Sequence, residues 1–196
     1  MATRASIIQA AITRLGSEAP QSIDEDSDEL AAVDRLYDAI VEDFLCRHAW
    51  TFATREAVLT APTERDEDTE KPWTWQFAMP SDVMNVREVL REGVPAQYEL
   101  RDGVLLARDD ADLTLIYNWN ASEERWPGDF AGGVQEELLG QLLEAFEEWT
   151  RGQQVRGIAE RKLNRAMRRD RRQKPGRRAE NPRLLRVFYN RQAGRV

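Results

Sequence analysis

The chain has 196 residues, 41% of them hydrophobic and 32% charged, with a formal net charge of −7. That length suffices for one domain with a sizeable core, while no apolar run approaches the ~18 residues of a membrane span. Met1-Ala-Thr-Arg-Ala-Ser6 opens no apolar leader and the lone Cys46 has no internal disulfide partner, so the expectation is a protein without a secretory signal, assembled in a reducing cytoplasm.

The charge is divided along the chain. Residues 1–150 hold 12 Lys and Arg against 32 Asp and Glu, a net −20, whereas residues 151–196 hold 16 against 3, a net +13. An acidic body with a basic arm predicts an acidic partner for the arm.

Residues 3–15 read as a first helix. Ile7, Ile8, Ala11, Ile12 and Leu15 share one face, and Gly16 follows as a C-cap. A polar loop with Pro20 leads to a second helix capped by Asp26 or Ser27, with Asp28 and Glu29 suited to the positive end of its dipole. Leu30, Val33, Tyr37, Ile40 and Phe44 carry its apolar face to about Cys46. The acidic cluster 24–29 lacks the Asx, Gly and distant Glu of a calcium loop, and reads as cap and solvated loop.

From Trp50 to Tyr117 the period shifts towards two. Trp50, Phe52 and Val58 suggest the first strand, and residues 61–71 an exposed loop. Trp73, Trp75, Phe77 and Met79 alternate, which gives the next strand one apolar face. Pro80-Ser81-Asp82 turns the chain into an irregular strand with Val83, Val86 and Val89. Asp102-Gly103 marks a hairpin, and Leu113–Tyr117 closes a single small antiparallel sheet of about five or six strands.

Residues 118–133 read as a connector. Val134, Leu138, Leu142, Ala145, Phe146 and Trp149 then define a third helix, broken or bent at Arg151-Gly152. Val155, Ile158, Ala159, Leu163, Ala166 and Met167 continue as a fourth helix whose other face is basic; it should fray after Arg172 and end before Pro175. The fold expected is α+β: a helical bundle from residues 1–48 and 127–174, an inserted antiparallel β-sheet domain at 49–126, and an extended basic C-terminal arm at 175–196. The arm combines Arg177, Arg178, Arg183 and Arg186 with an apolar island of Leu184, Leu185, Val187, Phe188 and Tyr189, too short for a core and suited to ordering on a partner.

Sites of chemistry are hard to assemble from this sequence. Cys46 and the only histidine, His48, lack the third group a nucleophile pair needs, and a zinc site would need more Cys or His than the chain has. Gly132-Gly133 is not followed by the Lys-Ser/Thr of a phosphate loop. The Trp73-Trp75-Phe77 stripe lies in acidic surroundings, which favours core packing over base stacking. The expectation is therefore a protein that is not an enzyme, with no catalytic residue, cofactor or metal. The basic run from Arg161 to Arg178 suits phosphates or an acidic protein surface. The apolar island favours a protein partner.

Two blocks carry a family resemblance. Arg47-His-Ala-Trp-Thr-Phe-Ala-Thr-Arg55 after an amphipathic helix, followed by Phe77-Ala-Met-Pro-Ser-Asp-Val-Met-Asn-Val86, resembles the tail tubular protein A family, the head-to-tail adaptors of short-tailed phages and their relatives. Ala49 stands where that family usually has Pro, Thr51 where it has Asn, Met79 where it has Leu, and Met84-Asn85 replaces a later pair. The resemblance implies a structural virion protein, assembled in the host cytoplasm, whose copies form a twelvefold ring beneath the portal. The ring would extend the DNA channel, let genomic DNA pass without sequence-specific binding, and present a platform to a tail nozzle or other tail protein, with no membrane partner. On that reading the portal-binding arm is Arg177, Arg178, Arg183, Leu184, Leu185, Arg186, Phe188 and Tyr189. The alternative from a different class is a nucleic-acid-binding protein acting through the same basic arm.

Overall fold

The structure, a computed structural model, describes residues 2–15, 28–65 and 73–173. The expected caps at Gly16 and at Asp26 or Ser27, most of the 61–71 loop and the whole 175–196 arm lie outside the described residues.

The fold is mixed α+β. Its helices are α1 (Arg4–Leu15), α2 (Asp28–Cys46), α3 (Gly128–Ala145) and α4 (Trp149–Gln173), and its strands β1 (Thr54–Leu59), β2 (Thr63–Glu64), β3 (Trp75–Ala78), β4 (Asn85–Arg91), β5 (Val94–Pro95), β6 (Glu99–Arg101), β7 (Val104–Ala107) and β8 (Leu113–Asn118). One hydrophobic cluster draws on all four helices, including Ile8 of α1, Phe44 of α2, Val134 and Leu138 of α3 and Leu163 of α4. Phe130 lies at its centre. Its ring meets Trp126 at 4.9 Å, Trp50 at 5.0 Å, Phe52 at 5.2 Å and Phe44 at 6.2 Å between centroids, each near edge-on. That is the geometry the ring quadrupole prefers.

The strands form two sheets rather than the single one expected. One runs β1-β8-β4-β5 and the other β2-β3-β7-β6, all antiparallel. Each sheet lends its inner face to a shared core of Leu59, Val89, Leu113, Leu115 and Tyr117 from the first, and Phe77, Leu105 and Ala107 from the second. The Asp102-Gly103 hairpin is present, and a second two-residue turn at Glu92-Gly93 adds β5. All four residues have positive φ (51°, 77°, 50° and 80°), as a type I′ turn requires.

Three expected boundaries move. Trp50 and Phe52 do not open the first strand: Thr51–Ala53 is one turn of 3-10 helix, and Trp50 is fully buried in the helical core with its indole N–H on the Phe44 carbonyl at 2.9 Å. The third helix starts at Gly128, inside the expected connector. Gly133 there lies where α3 meets α2 and α4; a methyl on it would touch Phe44 at 3.5 Å and the Ala159 carbonyl at 3.6 Å. The helix also ends at Ala145, before the expected break at Arg151-Gly152, in a turn where Glu147 has φ +65°. Phe146 and Trp149, expected on its apolar face, are 62% and 59% exposed.

Candidate functional site

Polar groups concentrate at the end of α2 and along the outer face of α4. A helix leaves its last four carbonyls without partners inside the helix, and here each is met from a different source. The Asp43 carbonyl takes the Arg47 backbone N–H at 3.1 Å and the Phe44 carbonyl the Trp50 indole. The Leu45 carbonyl takes Asn118 Nδ2 at 2.7 Å and the Cys46 carbonyl an Arg87 guanidinium N–H at 2.9 Å.

The sheet supplies two of these donors through a local irregularity. The β4–β8 register shifts between Val86 and Glu88, which leaves Arg87 on a bulge. Bulges re-aim side chains, and Arg87 turns to the Cys46 and His48 carbonyls and to Asn118 Oδ1 at 3.1 Å. A cation at a helix C-terminus is favoured by the dipole. Burial pushes the Arg87 guanidinium below its ordinary pKa and the Cys46 thiol above its own. A thiol held protonated is a poor nucleophile.

His48 and Cys46 therefore belong to a joint between helix and sheet. Asp170 of α4, which sequence reasoning missed, completes it. Only 4% exposed, it accepts the Thr51 backbone N–H at 2.9 Å and Thr51 Oγ1 at 2.5 Å on one oxygen, with His48 Nε2 at 3.1 Å from the other. Threonine and histidine thus both rest on the carboxylate. In a nucleophilic relay the base lies between nucleophile and acid, so this arrangement positions the 48–51 turn. The sequence signal for it is a lone acid inside Arg168-Arg169-Asp170-Arg171-Arg172, following Leu163 and Ala166 on the buried side of α4.

The basic face of α4 divides in two. Its inner flank is matched by acids of α3: Arg156 meets Glu137 at 2.9 Å and Glu144 at 3.2 Å, Lys162 meets Glu136 at 2.9 Å, and Arg169 meets Asp129 at 3.3 Å. Arg14 of α1 joins Glu136 at 2.9 Å. Arg165 sits looser, 3.8 Å from Asp129. On the outer side, Arg161, Arg168, Arg171 and Arg172 are exposed and form no ion pair with any described residue.

All eight residues assigned to a portal-binding arm, Arg177, Arg178, Arg183, Leu184, Leu185, Arg186, Phe188 and Tyr189, lie outside the described residues. The Trp73-Trp75-Phe77 stripe falls on or beside β3, with Phe77 fully buried and Trp75 packed against the sheet core. Among the described residues no three His, Cys, Asp or Glu side chains are grouped to hold a metal, and no helix is long and apolar enough to cross a membrane. The chain matches no protein-family model and no curated protein.

Proposed function

We propose that the protein is a head-to-tail adaptor: a structural virion protein that forms a ring beneath a portal, extends the DNA channel and carries the tail. In this reading the helices from both ends of the chain act as a bundle that makes the subunit contacts. The arm at 175–196 reaches the portal through its arginines and its apolar island, and a tail nozzle or other tail protein docks on the opposite side. As in the family it resembles, twelve copies complete the ring.

The observation that carries the proposal is how the two resembling blocks meet. Arg55, which ends the first, pairs with Asp82 of the second at 2.5 Å, and Asp82 also accepts the Tyr117 hydroxyl at 3.0 Å. The Arg55 guanidinium carbon lies over the Trp119 ring, 3.3 Å from its centroid. Next to Asp82, the Met84 N–H bonds the carbonyl of Asn118, whose side chain closes α2. Two blocks far apart in sequence thus build one joint between helices and sheet, which supports reading them as a single motif.

Electron microscopy of the chain mixed with the portal of its particle tests the proposal. The expected result is a ring of this protein under each portal, lost when residues 175–196 are deleted. A portal that stays undecorated by the full chain overturns it.

A further inference from the structure

We propose that the outer face of α4 is a binding site for the phosphate backbone of nucleic acid, independent of base sequence. Arg161, Arg165, Arg168 and Arg172 recur at intervals of four, three and four along one helix. They form a straight row about 16 Å long, about five phosphate steps along one strand of duplex DNA. The row lies opposite the buried residues Val155, Ala159, Leu163, Ala166 and Asp170. It therefore points away from the body, and all four arginines are exposed.

The inner and outer cations of α4 do different work. Those facing α3 neutralise Glu136, Glu137, Glu144 and Asp129 and hold the helix down. Arg161, Arg168 and Arg172 neutralise no described carboxylate and contribute nothing to that attachment. Arg165 stands between the two sets.

The chemistry of the face favours nucleic acid over an acidic protein. Protein interfaces centre on buried aromatic or aliphatic anchors, whereas contacts to phosphate are made by Arg, Lys, Asn and Gln side chains. Around the row stand Gln154, Asn164 and Arg171, all exposed and polar. From Arg161 to Gln173 the one acid, Asp170, is buried beneath Thr51 and His48. The acidic body, a net −20 over residues 1–150, repels phosphate and leaves this edge as the approach. The site deepens the adaptor proposal by naming a face for the channel DNA. It does not rest on that proposal, because the free chain should bind DNA whether or not a portal captures it.

The test is fluorescence anisotropy with the full chain and a labelled duplex of about 20 base pairs and arbitrary sequence, from about 50 to 200 mM salt. One variant carries Arg161→Gln, Arg165→Gln, Arg168→Gln and Arg172→Gln. A control carries Arg177→Gln, Arg178→Gln, Arg183→Gln and Arg186→Gln. Glutamine keeps helix propensity close to that of arginine, so unchanged circular dichroism and melting temperature verify the fold. Four lost phosphate contacts should lower the slope of log K against log salt by about 3 to 4. The binding that remains should no longer show the roughly hundredfold fall these contacts cause across that range. The control should keep most of the wild-type slope. Wild-type protein that fails to bind at the lowest salt overturns the proposal. So does an α4 variant that binds like wild type, or one that binds DNA normally while losing the portal.

Discussion

A methyl group on Gly152 would stand 2.8 Å from the Gly140 carbonyl oxygen. Helices α3 and α4 press backbone to backbone at this point, since a methyl on Gly140 would meet the Gly152 carbonyl at 3.1 Å and Arg156 Cγ at 2.3 Å. Gly157, on the same helix, has only the end of Arg161 nearby at 3.6 Å. Alanine gains about 1 kcal/mol over glycine in a helix, and overpacking costs about 1–3 kcal/mol. A backbone oxygen cannot swing aside, so the upper part of that range applies to Gly152. Gly152→Ala should lower the urea midpoint and Gly157→Ala should raise it. Shifts of the same sign would mean that the crossing is looser than described.

Asn118 is fully buried and holds the Leu45 and His48 carbonyls while accepting from Arg87. Asn118→Leu keeps the volume and removes both donors. The Leu45 carbonyl is then left without its partner, at about 1–3 kcal/mol. In a chain of this length that corresponds to a melting temperature lower by about 2–4 °C per kcal/mol. A thermal melt reads the effect directly, and an unchanged midpoint would show that water replaces the amide.

Acid should loosen the helices through Glu136. Burial pushes its carboxyl up, but hydrogen bonds from Arg14 and Lys162 and their positive charge outweigh burial and hold it below the ordinary range. A carboxyl depressed in the folded state contributes stability above its unfolded pKa of about 4.3. That contribution disappears as the pH falls through the folded value. Glu136→Gln should be less stable at neutral pH and lose less between about pH 5 and 3. Denaturation midpoints across that range check it; parallel curves for both proteins would refute it.

Trp149 is 59% exposed, whereas Trp50 and Trp126 are buried and Trp73, Trp75 and Trp119 are partly so. Trp149→Phe should remove most acrylamide-quenchable fluorescence and change stability by no more than about 0.5 kcal/mol. Quenching as strong in the variant as in the wild type would place another indole in solvent.

What the sequence made legible follows from periodicity. The apolar faces of α1 and α2 and the alternation around Phe77 stand out because a core imposes its spacing on its residues. The α3–α4 turn was hidden because Phe146 and Trp149 continue the helical spacing of Leu138 and Leu142 into solvent. Strand β5 was hidden because Glu92-Gly93 is a weaker turn signal than Asp102-Gly103, although both adopt the same backbone. At the candidate site, the spacing of Arg161, Arg165, Arg168 and Arg172 is in the sequence, but their separation from the paired Arg156, Lys162 and Arg169 required the position of α3. Arg87 had no local pattern, and Asp170 only the oddity of one acid among four arginines, since each serves partners distant in sequence.

The closure of α2 has a kinetic consequence. Its last turn is finished by Arg87 and Asn118, which follow it by 41 and 73 residues in their bonds to Cys46 and Leu45. The body of the helix can form from nearby residues, but its end waits until a bulged strand and its neighbour have paired. Contacts of such sequence separation carry loop-closure entropy and come late along a folding route. Damage to this joint should therefore leave the refolding rate nearly unchanged and speed unfolding. The joint therefore sets how long the folded shape lasts rather than how soon it appears.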